Sequence, residues 1–262
     1  FPYRCEKQID VVWENTPKAQ AEPIKELKLK HDFNFLTVSQ LSPRKNFENT
    51  IKWFVEEFID QEVGLVVKTN LATNSVMDWE HLQKKMKTLL SDYKDRKCSV
   101  YLLHGDLSAG QMTELYTHPK IKNMINISHG EGFGLPMFEA AREGMPITTI
   151  GWSGQLDFLQ HDGKKYFNSV NYNMMRIQEQ AHWPGVLEAD ANWAYAEQGS
   201  YKMALRRAFK KHDKLKEKAL ELKDIVNAKF SDEVLHKGFV DSILGFDSSI
   251  IETEEEELVE FE

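Results

Sequence analysis

Short apolar runs alternate with amphipathic stretches along most of this chain, and this alternation restricts the fold more than any other feature. The runs are rich in β-branched and aromatic residues and lack a strict apolar–polar alternation, which is typical of strands covered on both faces. The predicted strands lie at Phe33–Ser39, Val63–Thr69, Val100–His104, Met124–Ser128 and Pro146–Ile150.

Amphipathic stretches separate these runs and carry apolar residues at three- and four-residue spacing, as one face of a helix requires. Asp78 is the predicted N-cap of the second helix, and Gly144 suits a left-handed residue after the fourth. The predicted helices lie at Asn46–Ile59, Asp78–Leu90, Ser108–Tyr116 and Pro136–Arg142. Strand–helix alternation with right-handed crossovers predicts an α/β fold with a doubly wound, parallel, Rossmann-like sheet.

The two ends of the chain follow other patterns. Residues 1–32 contain three prolines and little periodicity, which indicates a linker or the remnant of an interdomain segment. Residues 33–230 form the predicted domain and end in a long helical segment that is broken near His212. Residues 231–250 contain a further helix with an apolar stripe, and residues 251–262 form an acidic tail.

Charge and composition exclude several classes of protein. Seven of the negative charges are glutamates of the acidic tail. The formal net charge is -8 for the whole chain and -1 without these glutamates. A nearly neutral body attracts nucleic acid weakly, and we expect no nucleic-acid partner. No apolar run is long enough to span a membrane, and no signal-peptide pattern is visible. The two cysteines, Cys5 and Cys98, form no framework, which favours a reducing, cytoplasmic location.

A glycine-rich turn, Ser128–Pro136, follows the fourth predicted strand and leads directly into a helix. Its three glycines allow a ligand to approach the backbone closely, and Pro136 suits the first turn of a helix. The free amides and the dipole at such a helix start favour an anion such as a diphosphate. Glu139 lies one turn further on, where a carboxylate can accept hydrogen bonds from a ribose diol. The glycines alone are equally consistent with a turn that only tightens packing.

The segment EGFGLPMFEAAREGMPITTIGWSGQLDFL resembles the signature of family 4 retaining glycosyltransferases, which have the GT-B fold. That signature has two glutamates separated by seven residues, an intervening F-G-L-P, and then E-A and G-x-P. Residues 38–46 resemble the family's G-R-L-x-x-x-K-N element, and residues 100–108 resemble the element near its nucleotide base. The matching residues of the main signature are Glu131, Phe133, Gly134, Leu135, Pro136, Glu139, Ala140, Gly144 and Pro146.

The resemblance implies that this chain is the C-terminal, donor-binding half of such an enzyme, with extra helices at its end. It also implies that the helix in residues 231–250 is a C-terminal crossover helix, which in the family crosses back to support the first domain. It implies that Lys45 contacts the diphosphate of a nucleotide sugar, that Glu139 holds the ribose, and that Glu131 lies against the transferred sugar as the residue closest to the chemistry. It places the backbone of Gly132, Phe133, Gly134 and Leu135 against phosphate and sugar, and it places Leu107 and Thr69 beside the base. No cofactor is implied. Because no D-x-D pair follows a strand, we also expect no metal.

One departure from the family pattern affects the predicted cation site. The family has an arginine before Leu41, where this chain has Gln40. In the family, that arginine joins the lysine in neutralising the leaving diphosphate, which requires fixed cations. Arg44 either replaces it from the other end of the loop or points outward. A second departure is Ser153–Asp157, which resembles the family's G-G-x-P-E only in part.

The resemblance also implies partners and leaves alternatives open. Enzymes of this family have an N-terminal domain that binds the acceptor, so we expect such a domain or a partner chain, and we expect this chain alone to be catalytically incomplete. The acceptor is not identified. The alternatives are a nucleotide-sugar-binding module without activity and a nucleotide-sugar epimerase on the same fold. His104 and His129 end predicted strands near the site, where a structural role and a ligand contact are both open.

Overall fold

A seven-stranded parallel sheet forms the centre of the computed structural model, which describes residues 10–13, 27–72 and 74–244. Two antiparallel hairpins, β7–β8 and β10–β11, lie outside this sheet. The strands are β1 (Asp10–Trp13), β2 (Asn34–Val38), β3 (Gly64–Thr69), β4 (Ser99–His104), β5 (Ile121–Asn126), β6 (Ile147–Ile150), β7 (Gln160–His161), β8 (Lys164–Lys165), β9 (Asn168–Val170), β10 (Tyr172–Arg176) and β11 (Asn192–Ala196).

The order of the strands fixes where a ligand can bind. Across the sheet the order is β1-β4-β3-β2-β5-β6-β9. The chain moves from β2 outward through β3 to β4, and then returns to the other side of β2 to form β5. Neighbouring loops diverge at this switch point, and the carboxyl ends of the flanking strands leave a crevice there. We therefore expect a site between the loops that follow β2 and β5.

The five predicted strands and the predicted fold class are confirmed, and the boundaries shift slightly. The largest shift is in β5, which begins at Ile121 because this residue pairs with Asn34 of β2. From Ile127 onward the chain leaves the sheet and enters the site loop. Strands β1 and β9 were not predicted: β1 lies within the segment that we interpreted as a linker, and β9 is only three residues long.

Helices cover both faces of the sheet. The four predicted helices and the break near His212 are confirmed, since a helix ends at Lys210 and the next begins at His212. Short 3-10 helices occur at Pro43–Lys45 and Glu179–Ala181. The α-helices are α1 (Phe47–Phe58), α2 (Val76–Leu89), α3 (Ala109–Tyr116), α4 (Leu135–Arg142), α5 (Leu156–Leu159), α6 (Gln198–Lys210), α7 (His212–Lys229) and α8 (Asp232–Leu244).

The prediction that Asp78 caps α2 is wrong. Ser75 has the extended backbone of an N-cap, and its hydroxyl oxygen accepts a 3.2 Å hydrogen bond from the amide of Asp78. Asp78 lies inside the first turn and accepts a hydrogen bond from the amide of Ala72. The predicted helix start at Ser108 is correct, because Ser108 is the N-cap of α3 and forms a reciprocal capping box with Gln111. Gly144 has the predicted left-handed backbone, with φ of 71°.

The core has two layers, one on each face of the sheet. Consecutive residues of β2 point to opposite layers: Phe35 packs among the side chains of α1, and Leu36 packs in the layer that contains Met137 of α4. Both residues are fully buried. This two-sided burial explains why the predicted strands read as continuous apolar runs.

The last helix leaves its apolar stripe uncovered. Phe239 and Ile243 of α8 are 65% and 63% exposed. Within residues 10–13, 27–72 and 74–244, no helix combines the length and apolar composition needed to cross a membrane. The acidic tail, residues 245–250 and most of the predicted linker lie outside the described residues.

Candidate functional site

The loops after β2 and β5 meet at the switch point of the sheet. The loop after β2 contains the 3-10 helix that carries Arg44 and Lys45, and Asn46 ends this helix in a left-handed conformation with φ of 50°. The side-chain amide of Asn46 donates a 3.2 Å hydrogen bond to the carbonyl of Ile127. The backbone amide of His129 donates to the carbonyl of Arg44 at 2.8 Å. These bonds hold both cationic side chains against the loop after β5.

Glu131 is the centre of the site. Lys45 Nζ lies 2.6 Å from its Oε1 and 2.7 Å from its Oε2. Ser128 Oγ donates to Oε1 at 2.9 Å, and Asn126 Nδ2 donates to the same oxygen at 3.2 Å. Arg44 Nη1 donates to Oε2 at 3.1 Å. A buried carboxylate thus accepts hydrogen bonds from two cations and two neutral side chains.

These partners determine the ionisation of Glu131. Burial alone raises the pKa of a carboxyl group. Here the hydrogen bonds and the charge of Lys45, together with the hydrogen bonds from Asn126 and Ser128, outweigh burial and lower the pKa of Glu131. The carboxylate is therefore ionised at neutral pH.

The glycine-rich turn beside Glu131 presents unbonded amides. Gly134 is the N-cap of α4 with φ of 90°, a conformation that favours glycine. The amides of residues 132–135 donate no hydrogen bond to any residue in the described part of the chain. Gly132 is exposed, and Leu135 is 62% exposed. The turn therefore leaves free donors and the positive end of a helix dipole at an open surface.

Glu139 lies in α4, about one turn after the N-cap residue. Its side chain is exposed, and its Oε2 accepts a 2.8 Å hydrogen bond from the hydroxyl of Tyr116. The carboxylate is thus held by one neighbour and remains open on its other side.

Ser153 holds the backbone of Glu131 from the following loop. Its hydroxyl donates to the carbonyl of Glu131 at 2.6 Å and accepts from the amide of the same residue at 3.0 Å. Next to it, a Cβ atom added to Gly154 would lie 1.8 Å from the carbonyl oxygen of Gly132. No side chain fits at position 154, so this glycine permits the two loops to touch.

The arrangement of the two candidate cations answers the question raised by Gln40. Arg44 does not point outward: besides contacting Glu131, its Nη1 donates to the carbonyl of Gly130. Gln40 points elsewhere, since its amide donates to the carbonyl of Leu71 at 2.6 Å. Arg44 therefore points into the site beside Glu131, and its side chain is 41% exposed.

Comparisons with known proteins give matches at the level of structure. No model of a protein family matches the chain, and no curated protein matches it. The solved C-terminal domain of the glycosyl transferase group 1 family protein LpcC from Francisella tularensis matches 87% of this chain over its whole length, with a TM-score of 0.52 and 14% identity. The fold is that of a GT-B half-domain.

Two larger structures match this half-domain over part of their length. HepE from Anabaena, in complex with UDP and glucose, matches 89% of this chain with a TM-score of 0.58 and 12% identity. An E. coli structure described as trehalose-6-phosphate bound with UDP-2-fluoro glucose matches 86% of this chain with a TM-score of 0.59 and 12% identity. The chain spans 54% and 48% of these two proteins, about half of each.

The predicted base-binding residues of the half-domain lie further along the same edge of the sheet. Thr69 ends β3 beside His104, which ends β4. Thr69 is buried, and Leu107 is partly buried against the layer that contains α4. Lys68 Nζ donates to the carbonyl of Gly105 at 2.5 Å, which fixes the start of the loop after β4.

The two histidines at this edge are packed into the half-domain. His104 lies against Trp79, with ring centroids 5.6 Å apart, and burial together with the charge of Lys68 lowers its pKa. His129 donates through Nδ1 to the carbonyl of Ala194 at 2.9 Å and stacks on Trp193 at 5.4 Å. The packing indicates structural roles, and His129 joins the site loop to strand β11.

Sequence reasoning missed four side chains of the site. Asn126 and Ser128 flank the end of β5, where polar residues after an apolar run are a usable signal. Ser153 was noted only as a departure from the family pattern. Tyr116 carries no local signal, because its partner Glu139 lies on another helix.

Proposed function

We propose that this chain is the donor-binding domain of a glycosyltransferase that transfers a sugar from a nucleotide diphosphate sugar to an acceptor with retention of configuration. One observation carries the proposal: Lys45 and Arg44 converge on Glu131 beside a helix start whose amides have no partner among the described residues. Two cations, free amides and an exposed carboxylate one turn further along form a set of groups suited to a nucleoside diphosphate.

The diphosphate would bind between the two cations and the start of α4. Lys45 is 14% exposed at its side chain and Arg44 is 41% exposed, so an incoming anion can reach both. In this binding mode the diphosphate shares the cations with Glu131. Both cations stabilise the negative charge that develops on the leaving group when the bond to the sugar breaks.

Glu139 would bind the nucleoside part of the donor. Its carboxylate accepts a bond from Tyr116 on one side and offers free lone pairs on the other. A ribose diol supplies two hydroxyl donors at the spacing that one carboxylate can accept. Thr69 and Leu107 would then border the base, because they lie at the ends of the neighbouring strands.

Glu131 would position the sugar and stabilise positive charge on it. Its lowered pKa keeps the carboxylate ionised, and an anion next to the anomeric centre favours the partly cationic sugar of a glycosyl-transfer transition state. We propose that the two cations do the work that a metal does in other sugar transferases, so that transfer needs neither a metal nor an organic cofactor.

The structural neighbours support the choice of donor. HepE was solved with UDP and glucose, and the E. coli structure is described with UDP-2-fluoro glucose. UDP is therefore the first nucleotide to test. Since the chain spans about half of those proteins, we propose that the acceptor is bound mainly by a further domain or a partner chain.

A second candidate is a donor-binding module without transferase activity. Gln40 favours it, because the side chain at this position is neutral and donates to Leu71 instead of facing the cation site. In this case the site still binds a nucleotide, and only the chemistry is lost.

Calorimetric titration with UDP, GDP and ADP tests the donor site. We expect one of them to bind and Lys45→Met to weaken it about 30-fold, the effect of losing a charge-assisted hydrogen bond. Lys52→Met is the matched control, because Lys52 is exposed on α1. If no nucleotide binds at millimolar concentration, both candidates are wrong. Release of free sugar from a nucleotide sugar then separates the enzyme from the passive binder.

A further inference from the structure

A cavity lies at the amino-terminal ends of the strands, opposite the carboxyl ends where the donor site lies. It has a volume of about 200 Å³ and lies where the loops enter β5 and β6. We call it the lysine-lined cavity; the residues used below are Tyr116, Lys122, Glu143, Met145, His212 and Lys216. The C-terminal end of α4 borders it, and the N-terminal end of α4 borders the donor site. Since α4 has eight residues, the two sites are roughly 12 Å apart along this helix.

The cavity is lined by positively charged side chains. Lys122 comes from β5 and Lys216 from α7, and neither forms an ion pair with a described residue. Among the described residues, Lys216 Nζ donates only to the carbonyl of Gly144, at 2.6 Å. Glu143 is the carboxylate of the lining, and Lys223 Nζ lies 3.9 Å from it. The positive charges of Lys122 and Lys216 therefore remain without an anionic partner in this part of the described chain.

His212 adds a buried polar atom that has no partner. Its Nδ1 is buried and makes no hydrogen bond within the described residues, and its ring packs edge-on against Phe33 at 5.6 Å. Burial and the charges of Lys122 and Lys216 lower the pKa of His212, against the opposing effect of Asp213. Burial and the charges of Lys223 and Lys122 likewise lower the pKa of Lys216. Mutual repulsion among these groups is the kind of strain that a bound anion relieves.

We propose that the lysine-lined cavity binds a small oxyanion, either inorganic phosphate or the phosphate of a small phosphomonoester. The two lysines provide charge-assisted donors, and the unpartnered nitrogen of His212 provides a third group. The first residue of α7 is His212, which lines the cavity, so the positive end of this helix borders it. The volume of about 200 Å³ is below the roughly 300 Å³ at which pockets for larger organic ligands begin, which favours a small anion.

Calorimetric titration of the full chain with inorganic phosphate tests this inference, and a second arm uses glycerol 3-phosphate. We expect Lys122→Met and Lys216→Met each to weaken binding about tenfold or more, the effect of removing one charge-assisted donor. Lys214→Met is the matched control, because Lys214 is exposed on the same helix and does not line the cavity. It should change the affinity by less than about twofold. The tighter-binding anion of the two arms identifies the source of the phosphate.

Two results would overturn the inference. The first is that neither anion binds at millimolar concentration. The second is that Lys45→Met abolishes binding while Lys122→Met and Lys216→Met preserve it, because phosphate would then occupy the donor site. Circular dichroism checks the fold of each variant; if Lys216→Met unfolds after losing its bond to Gly144, Lys122→Met decides. The inference is independent of the proposed function, since each site has its own lysine variants.

Discussion

The hydroxyl oxygen of Tyr116 lies 2.8 Å from Oε2 of Glu139. Tyr116 ends α3 and Glu139 lies in α4, so a contact between two helices orients a carboxylate that would otherwise rotate freely. Burial, with the charge of Glu139, raises the pKa of Tyr116 far above its usual value. The phenol therefore remains a hydrogen-bond donor at neutral pH.

Tyr116→Phe removes this bond and should weaken the binding of UDP about fivefold, because the unrestrained carboxylate must be ordered when ribose binds. Calorimetry measures the affinity. The matched control is Tyr93→Phe, which removes a comparable 3.0 Å hydrogen bond, between Tyr93 and Glu56. Neither residue belongs to the candidate site. If Tyr116→Phe binds UDP as the unmodified protein does, the bond from Tyr116 does not order Glu139 for the ribose.

Arg44→Ala should weaken the binding of UDP about tenfold, since it removes one of the two cations proposed to face the diphosphate. Gln40→Ala should leave the affinity within about twofold, because Gln40 bonds to Leu71 and not to the cation site. The comparison is made by calorimetry at one fixed salt concentration. Equal losses in the two variants would show that Arg44 does not replace the family's arginine.

Glu131→Gln should destabilise the protein by about 2 kcal/mol at pH 7, because it leaves Lys45 and Arg44 without their anion. The effect should depend on pH. The pKa of Glu131 is lowered from its ordinary value of 4.5 in the folded state, so its contribution is complete above that value. The contribution is lost as the pH falls from 4.5 through the lower pKa of the folded state.

Urea unfolding at a series of pH values measures this difference. The free energies of unfolding of the unmodified protein and of Glu131→Gln should run parallel at neutral pH and converge below pH 4.5. Glu62→Gln is the control, because Glu62 is exposed and its removal should have little effect at any pH. A constant gap across the acid range would contradict an ionised Glu131.

Gly154→Ala should destabilise the protein by about 3 kcal/mol, because the new methyl group would meet the carbonyl oxygen of Gly132 at 1.8 Å. The site loop must then move, and UDP binding should fall with stability. Gly199→Ala is the control, since its methyl group would meet nothing within 4 Å in α6. Urea unfolding of both variants is the measurement. Normal stability of Gly154→Ala would show that the two loops do not touch.

The sequence predicted those features that depend on neighbouring residues. Apolar runs and helical periodicity predicted the five central strands and the first four helices, because burial on two faces or on one stripe leaves a local pattern. The left-handed Gly144 was visible for the same reason. Asp78 was misread because Ser75 offers an equally good cap three residues earlier, and only the path of the backbone chooses between them.

The groups that distant parts of the chain bring together were decided by the tertiary structure. The order of strands places the loop after β2 against the loop after β5, and this contact turns Arg44 toward Glu131. The sequence alone was consistent with two directions of the Arg44 side chain, toward the site or outward. The bond between Tyr116 and Glu139 and the gathering of Lys122 and Lys216 at the opposite edge arise in the same way. Local patterns record which face of an element is buried, whereas contacts across a sheet depend on the packing of the whole chain.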